Sequence, residues 1–91
     1  MDKRYYLVFK GRVQGVGFRY FAMNAARKCA LTGWVRNLSN GDVDMEIQGD
    51  VAKLDQCIAM ITAGSRWIRV DDYAQKTIPL DDSERDFRVR F

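Results

Sequence analysis

Two stretches of this sequence carry apolar residues along one side of a helix and polar residues along the other. Phe18, Phe21, Ala22, Ala25 and Cys29 recur at helical spacing with Asn24, Arg27 and Lys28 opposite, and Val51, Leu54, Cys57, Ile58 and Ile61 form a second stripe. Thr32-Gly33 breaks the first helix; Asp50 is placed to cap the second and Gly64 to end it. A helix with a single apolar stripe must bury it, and here both need a common surface. The extended segments supply that surface. Arg4–Val13 is rich in aromatic and β-branched residues on both faces, as suits a central strand. Trp34–Leu38 reads as a second strand. Asp42–Gln48 reads as a third, with Val43, Met45 and Ile47 on one face and a solvated row of Asp42, Asp44 and Glu46 on the other. Trp67–Ile78, broken by Pro79, is the fourth; a polar turn over Asp81–Asp86 leads to a short last strand, Phe87–Phe91. Asn40-Gly41 within Ser39-Asn40-Gly41 predicts a type I′ hairpin turn.

The order is βαββαβ with one extra strand. It predicts an α+β, ferredoxin-like split sandwich: an antiparallel sheet of four core strands plus a short C-terminal strand, with two helices on one face. At 91 residues the chain has room for one hydrophobic core, so a single domain over 1–91 is expected. In this topology the first two core strands point the same way, one strand apart. The loop after the first strand and the region of Asn37 should therefore meet at one edge of the sheet.

The chain has no histidine. That excludes a Ser-His-Asp triad, a Cys-His pair, a phosphohistidine and most zinc sites. Cys29 and Cys57 are too far apart for a CxxC motif and too few for a disulfide scaffold; buried free thiols are the expectation. The apolar run Tyr5–Phe9 is far too short for a signal or membrane segment, and a cytoplasmic protein is expected. The net charge of +3 gives no generic polyanion-binding signal, so the placement of individual arginines matters more.

Gly15-Val16-Gly17-Phe18-Arg19 runs from a strand directly into a helix N-terminus, where unpaired backbone N–H groups and the positive end of the dipole favour an anion. Glycines let successive amides point into one concave nest. Arg19 in the first helical turn is electrostatically misplaced by about 0.3–1 kcal/mol. A bound phosphate reverses that sign, and a guanidinium fork matches phosphate geometry. The same glycines would equally serve a tight turn beside a solvated Arg19. Named phosphate loops do not fit: Val16-Gly17-Phe18 is not Gly-Lys-Ser/Thr, and Tyr20 stands where a dinucleotide fingerprint needs glycine. A cysteine-phosphatase loop needs Cys where Val13 stands, six residues before Arg19.

Asn37 lies late in a strand, where asparagine is disfavoured. It either prepares the hairpin turn or holds a water through its amide. An amide is no general base, and neither the loop nor Trp34–Asn37 contains a carboxylate. A substrate attacked here must need little basic help. A mixed carboxylic–phosphoric anhydride meets that requirement, because its leaving carboxylate takes no proton and the loose transition state rewards positioning and charge. The phosphate dianion can itself accept the water's proton.

Gly11-Arg12-Val13-Gln14-Gly15-Val16-Gly17-Phe18-Arg19, followed by Gly33-Trp34-Val35-Arg36-Asn37 and Asn40-Gly41-Asp42-Val43, resembles the acylphosphatase family in both blocks and their spacing. The similarity extends through Gly49, the second helix, Val70-Asp71 and Phe87-Arg88-Val89-Arg90. The resemblance implies the ferredoxin-like sandwich and hydrolysis of an acyl phosphate to a carboxylate and inorganic phosphate, without cofactor or metal. It implies Arg19 as the phosphate-binding arginine, Asn37 as the water-orienting asparagine, and the amides of Gly15, Val16, Gly17, Phe18 and Arg19 as the cradle. Inorganic phosphate would be product and inhibitor, and the chain a monomer with no nucleic-acid or membrane partner. Ala30 stands where the family often has glycine, and Asn40 where aspartate is common.

Other residues read more plainly. Arg12 closes the first strand as a solvated edge charge or steers phosphate. Trp67, Ile68 and Tyr73 belong to core or strand surface, and carboxylates alternating on one strand diverge from any single metal ion. A ferredoxin-like sandwich also hosts RNA-binding and small-ligand regulatory domains. An RNA binder needs stacking aromatics on its third strand, where this sequence has Asp and Glu; a regulatory module would not need Arg19 and Asn37 together.

Overall fold

The computed structural model describes all 91 residues, Met1–Phe91. Strand β1 (Asp2–Arg12) sits centrally because Tyr5, Leu7 and Phe9 enter the core while Tyr6 and Val8 half-bury on the opposite face. It pairs antiparallel with β3 (Val43–Asp50) on one side and β4 (Arg69–Ile78) on the other. Strand β2 (Thr32–Asn37) pairs antiparallel with β3, and β5 (Phe87–Arg90) adds parallel to β2, which gives the order β4-β1-β3-β2-β5. Helix α1 (Phe18–Lys28) packs against β2 and β5, and α2 (Val51–Ala63) against β3 and β4. The expected βαββαβ sandwich is the one formed, with the last strand on the free edge of β2.

The helical stripes are buried as their spacing requires: Phe18, Ala22 and Ala25 from α1, and Leu54, Cys57, Ile58 and Ile61 from α2, meet Leu7, Phe9, Met45 and Ile47 of the sheet. The Phe9 and Phe18 rings lie 5.3 Å apart and pin the start of α1 to β1. Asp50 caps α2 by accepting from the Ala52 N–H at 3.2 Å, and Gly64 ends it. Cys29 and Cys57 are buried free thiols; burial, with Cys29 alongside, pushes the Cys57 thiol up to about 12, which leaves it unreactive.

Three expectations need correction. The carboxylate row on β3 is not simply solvated. Asp44 is 1% exposed, takes a two-pronged bond from Arg36 (3.1 and 2.7 Å) and accepts from the Tyr6 hydroxyl at 3.0 Å. Asp42 pairs with Lys10, and Glu46 accepts from Nε of Arg4 at 2.7 Å. A buried carboxylate must be paired, and strand alternation alone does not reveal that cations from β1 and β2 converge on this face. The hairpin is not type I′ either. Only Gly41 has positive φ (95°), the Gly41 N–H donates to the Leu38 carbonyl, and the Leu38 N–H donates to Asp42, a three-residue loop with glycine at its left-handed position. Finally, β4 begins at Arg69, because Trp67 sits in an exposed bend beside Arg66.

Helix α1 ends just before Ala30, which takes a left-handed conformation. Ala30 has φ 56°, and the Leu31 N–H reaches back to the Ala26 carbonyl at 3.0 Å while the Ala30 N–H donates to Arg27. This is a helix-terminating motif with a side chain in its left-handed position, strained by about 1–2 kcal/mol. Ala30→Gly should relieve that strain at a smaller entropic loss in the unfolded chain, raising stability by about 1 kcal/mol. Urea unfolding tests it: the midpoint should rise with an unchanged m value.

Candidate active site

The end of β1 and the end of β2 open on the same edge of the sheet, separated by β3. Between them lies a cavity of about 120 Å³, lined by Gly15, Gly17, Phe18, Arg19, Tyr20 and Asn37. That is about four water volumes, the scale of a small anion with a water.

Its floor is main chain. Gly15 (φ 72°) and Gly17 (φ 77°) take the left-handed conformation, and a Cβ at either would meet nothing within 4 Å. Backbone conformation, not crowding, requires glycine here, because successive N–H groups then turn toward one concavity. The N–H groups from Gly15 to Tyr20 donate to no acceptor in the chain. Helix α1 has no side-chain cap and no acidic residue in its first turn. The Val16 side chain instead packs against the core and leaves its backbone to the loop. Phe18 is buried and anchors the loop from beneath.

Arg19 is half-buried and has no carboxylate partner. One Nη1 donates to the Arg90 carbonyl at 3.0 Å, and the guanidinium lies 4.6 Å over the Phe91 ring. A guanidinium has five N–H donors, so most remain free for a ligand. The C-terminal strand thus orients this side chain without neutralising it. Arg90 is itself fixed by stacking its guanidinium over Trp34 at 4.5 Å.

Asn37 lies at the last position of β2, opposite Val43 across the hairpin. Its Oδ1 is the only buried side-chain oxygen or nitrogen in the molecule without a partner. Leaving such an acceptor unpaired costs about 1–3 kcal/mol, so a donor such as water is called for. Loop, Arg19 and Asn37 are therefore brought together as expected. Arg12 is not among them; it lines a separate recess with Arg66, Trp67 and Arg69 at the C-terminal end of α2.

Three contributors escaped the sequence. Gln14 Nε2 donates to the Leu38 carbonyl at 2.7 Å and the Asp42 carbonyl at 2.8 Å, tying the loop to the hairpin that carries Asn37. Arg90 and Phe91 hold Arg19 from the far end of the chain. Gln14 belongs to the conspicuous loop block, but its partners lie 24 and 28 residues away, and nothing local signals them. Gln14→Ala should destabilise the fold by about 1 kcal/mol and weaken inorganic phosphate binding several-fold, since both carbonyls keep a backbone partner while the cavity walls lose their tie. Calorimetric phosphate titration alongside urea unfolding reads both effects.

The acylphosphatase family profile matches residues 5–89. An acylphosphatase of Clostridium acetobutylicum is 42% identical over 89 residues, covering 98% of each chain. The crystal structure of acylphosphatase from Bacillus subtilis superposes with a TM-score of 0.92 at 32% identity over the whole of both chains. An acylphosphatase structure from Coxiella burnetii gives 0.91 at 32% identity, over 98% of this chain and 93% of that one. Motifs, topology and full-length similarity agree: the chain belongs to the acylphosphatase family.

Proposed function

We propose that the protein hydrolyses acyl phosphates to a carboxylate and inorganic phosphate, with the loop amides and Arg19 holding the phosphoryl group and Asn37 holding the attacking water. The observation that supports this most is the shared cavity, whose lining brings together loop residues with unpaired amides, an arginine with no carboxylate partner and an orphaned amide oxygen. The lining offers no carboxylate, imidazole or thiol, so it has neither a general base nor the usual donors for a divalent cation. Charge on the phosphoryl oxygens falls to the guanidinium and the main chain.

The reaction balances with these groups. Water donates one hydrogen bond to Oδ1 of Asn37 and presents its lone pair to phosphorus. The new P–O bond forms as the P–O bond to the acyl group breaks, and the acyl oxygen departs as a carboxylate without a proton. The water's proton passes to a phosphoryl oxygen. An alkyl phosphate would need its leaving alkoxide protonated, and no acid stands ready. Each chain holds a complete site, so one copy suffices for turnover.

The two side chains separate in their effects. Arg19→Ala should remove both benzoyl phosphate hydrolysis and competitive inhibition by inorganic phosphate. Asn37→Ala should keep phosphate inhibition within about threefold while kcat drops by about a hundredfold or more, a barrier increase near 2.7 kcal/mol. Retained hydrolysis in either variant contradicts the assigned roles. Neither an amide nor a guanidinium changes protonation between roughly pH 4 and 10. The pH profile of kcat/KM should therefore show no enzyme-borne step there. It should follow only the second ionisation of the acyl phosphate, which the electron-withdrawing acyl group holds below the roughly pH 6 of a phosphate monoester; a bell-shaped profile would contradict this.

A further inference from the structure

The cavity of about 120 Å³ has room for a phosphoryl group and the attacking water and little else. If it holds those two, the acyl group must lie at the mouth, against whatever the rim presents. Gly15 and Gly17 have no side chain, and Val13 and Phe18 are buried in the core. In the proposed reaction Arg19 and Asn37 are committed to the phosphoryl group and the water. That leaves Tyr20. It lines the same cavity, is 52% exposed, and its ring packs on no other ring or cation of the chain.

Helix geometry directs that ring toward the mouth. Side chains of an α-helix lean toward its N-terminus and cover the turn before their own Cα. Tyr20 is the third residue of α1, so the turn its ring covers is the Gly15–Gly17 loop itself. Phe18 faces the core, and Tyr20, two residues on and about 200° around the helix, faces away from it. The other flank of the loop is unsuited to an uncharged acyl group. There Arg12, Arg66 and Arg69 line the recess at the end of α2, and the Arg66 guanidinium already lies 5.0 Å over the Trp67 ring. Phe91 is taken by the Arg19 guanidinium and does not line the cavity.

We propose that Tyr20 is the residue that receives the acyl group, and that its ring favours acyl phosphates with an aromatic or extended apolar acyl part over acetyl phosphate. This rests on the cavity being an acyl phosphate site. A planar acyl group and the phenol ring can stack offset or edge to face once the phosphoryl group is seated on the loop amides. An acetyl group is too small to cover the ring. A ring face at an open mouth excludes nothing, so the preference is graded rather than absolute. The contact is far from the bond that breaks and is equally present before and during reaction. Tyr20 is thus a specificity-determining residue that acts through substrate binding.

Binding and turnover are measured separately. Calorimetry uses benzoylphosphonate and acetylphosphonate, which keep the acyl and phosphoryl groups but lack the scissile oxygen. Benzoylphosphonate should bind the wild type more tightly, and Tyr20→Ala should cut its advantage over acetylphosphonate about threefold to tenfold, the size of one aromatic contact. In turnover, Tyr20→Ala should raise KM for benzoyl phosphate relative to acetyl phosphate by the same factor, with the kcat ratio held within about twofold. Tyr20→Phe should keep both preferences, and inorganic phosphate should bind both variants within about twofold of wild type. A benzoyl advantage that survives Tyr20→Ala, one that Arg12→Ala removes instead, or a loss of inorganic phosphate binding in Tyr20→Ala would each overturn the assignment. Tyr20-dependent phosphonate binding without hydrolysis of either substrate would uphold the acyl contact and overturn the hydrolytic reading.

Discussion

The two helices of this protein begin in opposite ways. Helix α2 starts at Asp50, whose carboxylate takes up a backbone N–H of the first turn. Helix α1 starts at a left-handed glycine with no cap, no acidic residue in its first turn, and an arginine instead. Its positive dipole end, the unpaired amides of the preceding loop and Arg19 therefore stack like charge upon like. Within the chain no carboxylate relieves this; the Arg90 carbonyl and the Phe91 ring meet Arg19 only in part. An anion in the cavity would complete the arrangement, and the rest of the molecule keeps that site in one shape.

Three long-range ties do the holding. The Phe9–Phe18 contact seats the first residue of α1 on the sheet, so the loop cannot swing away from β1. Gln14 fastens the loop to the β2–β3 hairpin through two carbonyls, which fixes its separation from Asn37. The Arg90 carbonyl and Phe91 ring set the direction of Arg19 without cancelling its charge. None of these partners is itself an anion, and a carboxylate at any of them would occupy the guanidinium or the amides in place of a ligand.

Much of this was legible in residue order, for reasons that are local. Helical stripes at Phe18–Cys29 and Val51–Ile61 and alternation at Val43–Ile47 record burial directly, so element order and sheet face followed. Gly15, Gly17 and Arg19 pointed to a candidate anion site because helix-start chemistry spans only a few residues. What stayed hidden depends on contacts across the chain. Asp44 looks like any outward strand carboxylate until Arg36 and Tyr6 are seen to close over it. The parallel seat of β5 beside β2 follows from Phe87 filling the core near α1, which no pattern in four residues could announce. Asn40-Gly41 signalled a turn correctly, but the choice between two- and three-residue loops rests on which of the two residues goes left-handed, and only Gly41 does.

The division between amide cradle and Asn37 also bears on selectivity. In the proposed mechanism the loop and Arg19 would meet the phosphoryl group in substrate, transition state and product alike, so their contribution would be largely uniform binding. Discrimination must then come from elsewhere. A cavity with no acid leaves the departing oxygen to stabilise its own charge, which a carboxylate does by delocalisation and an alkoxide does not. In the same proposal Asn37 would contribute where the states differ, because its orphaned oxygen would set the lone-pair direction of a water that bonds to phosphorus only in and after the transition state. On that proposal, a site with so few working parts would be broad toward the acyl group and narrow toward the leaving-group chemistry.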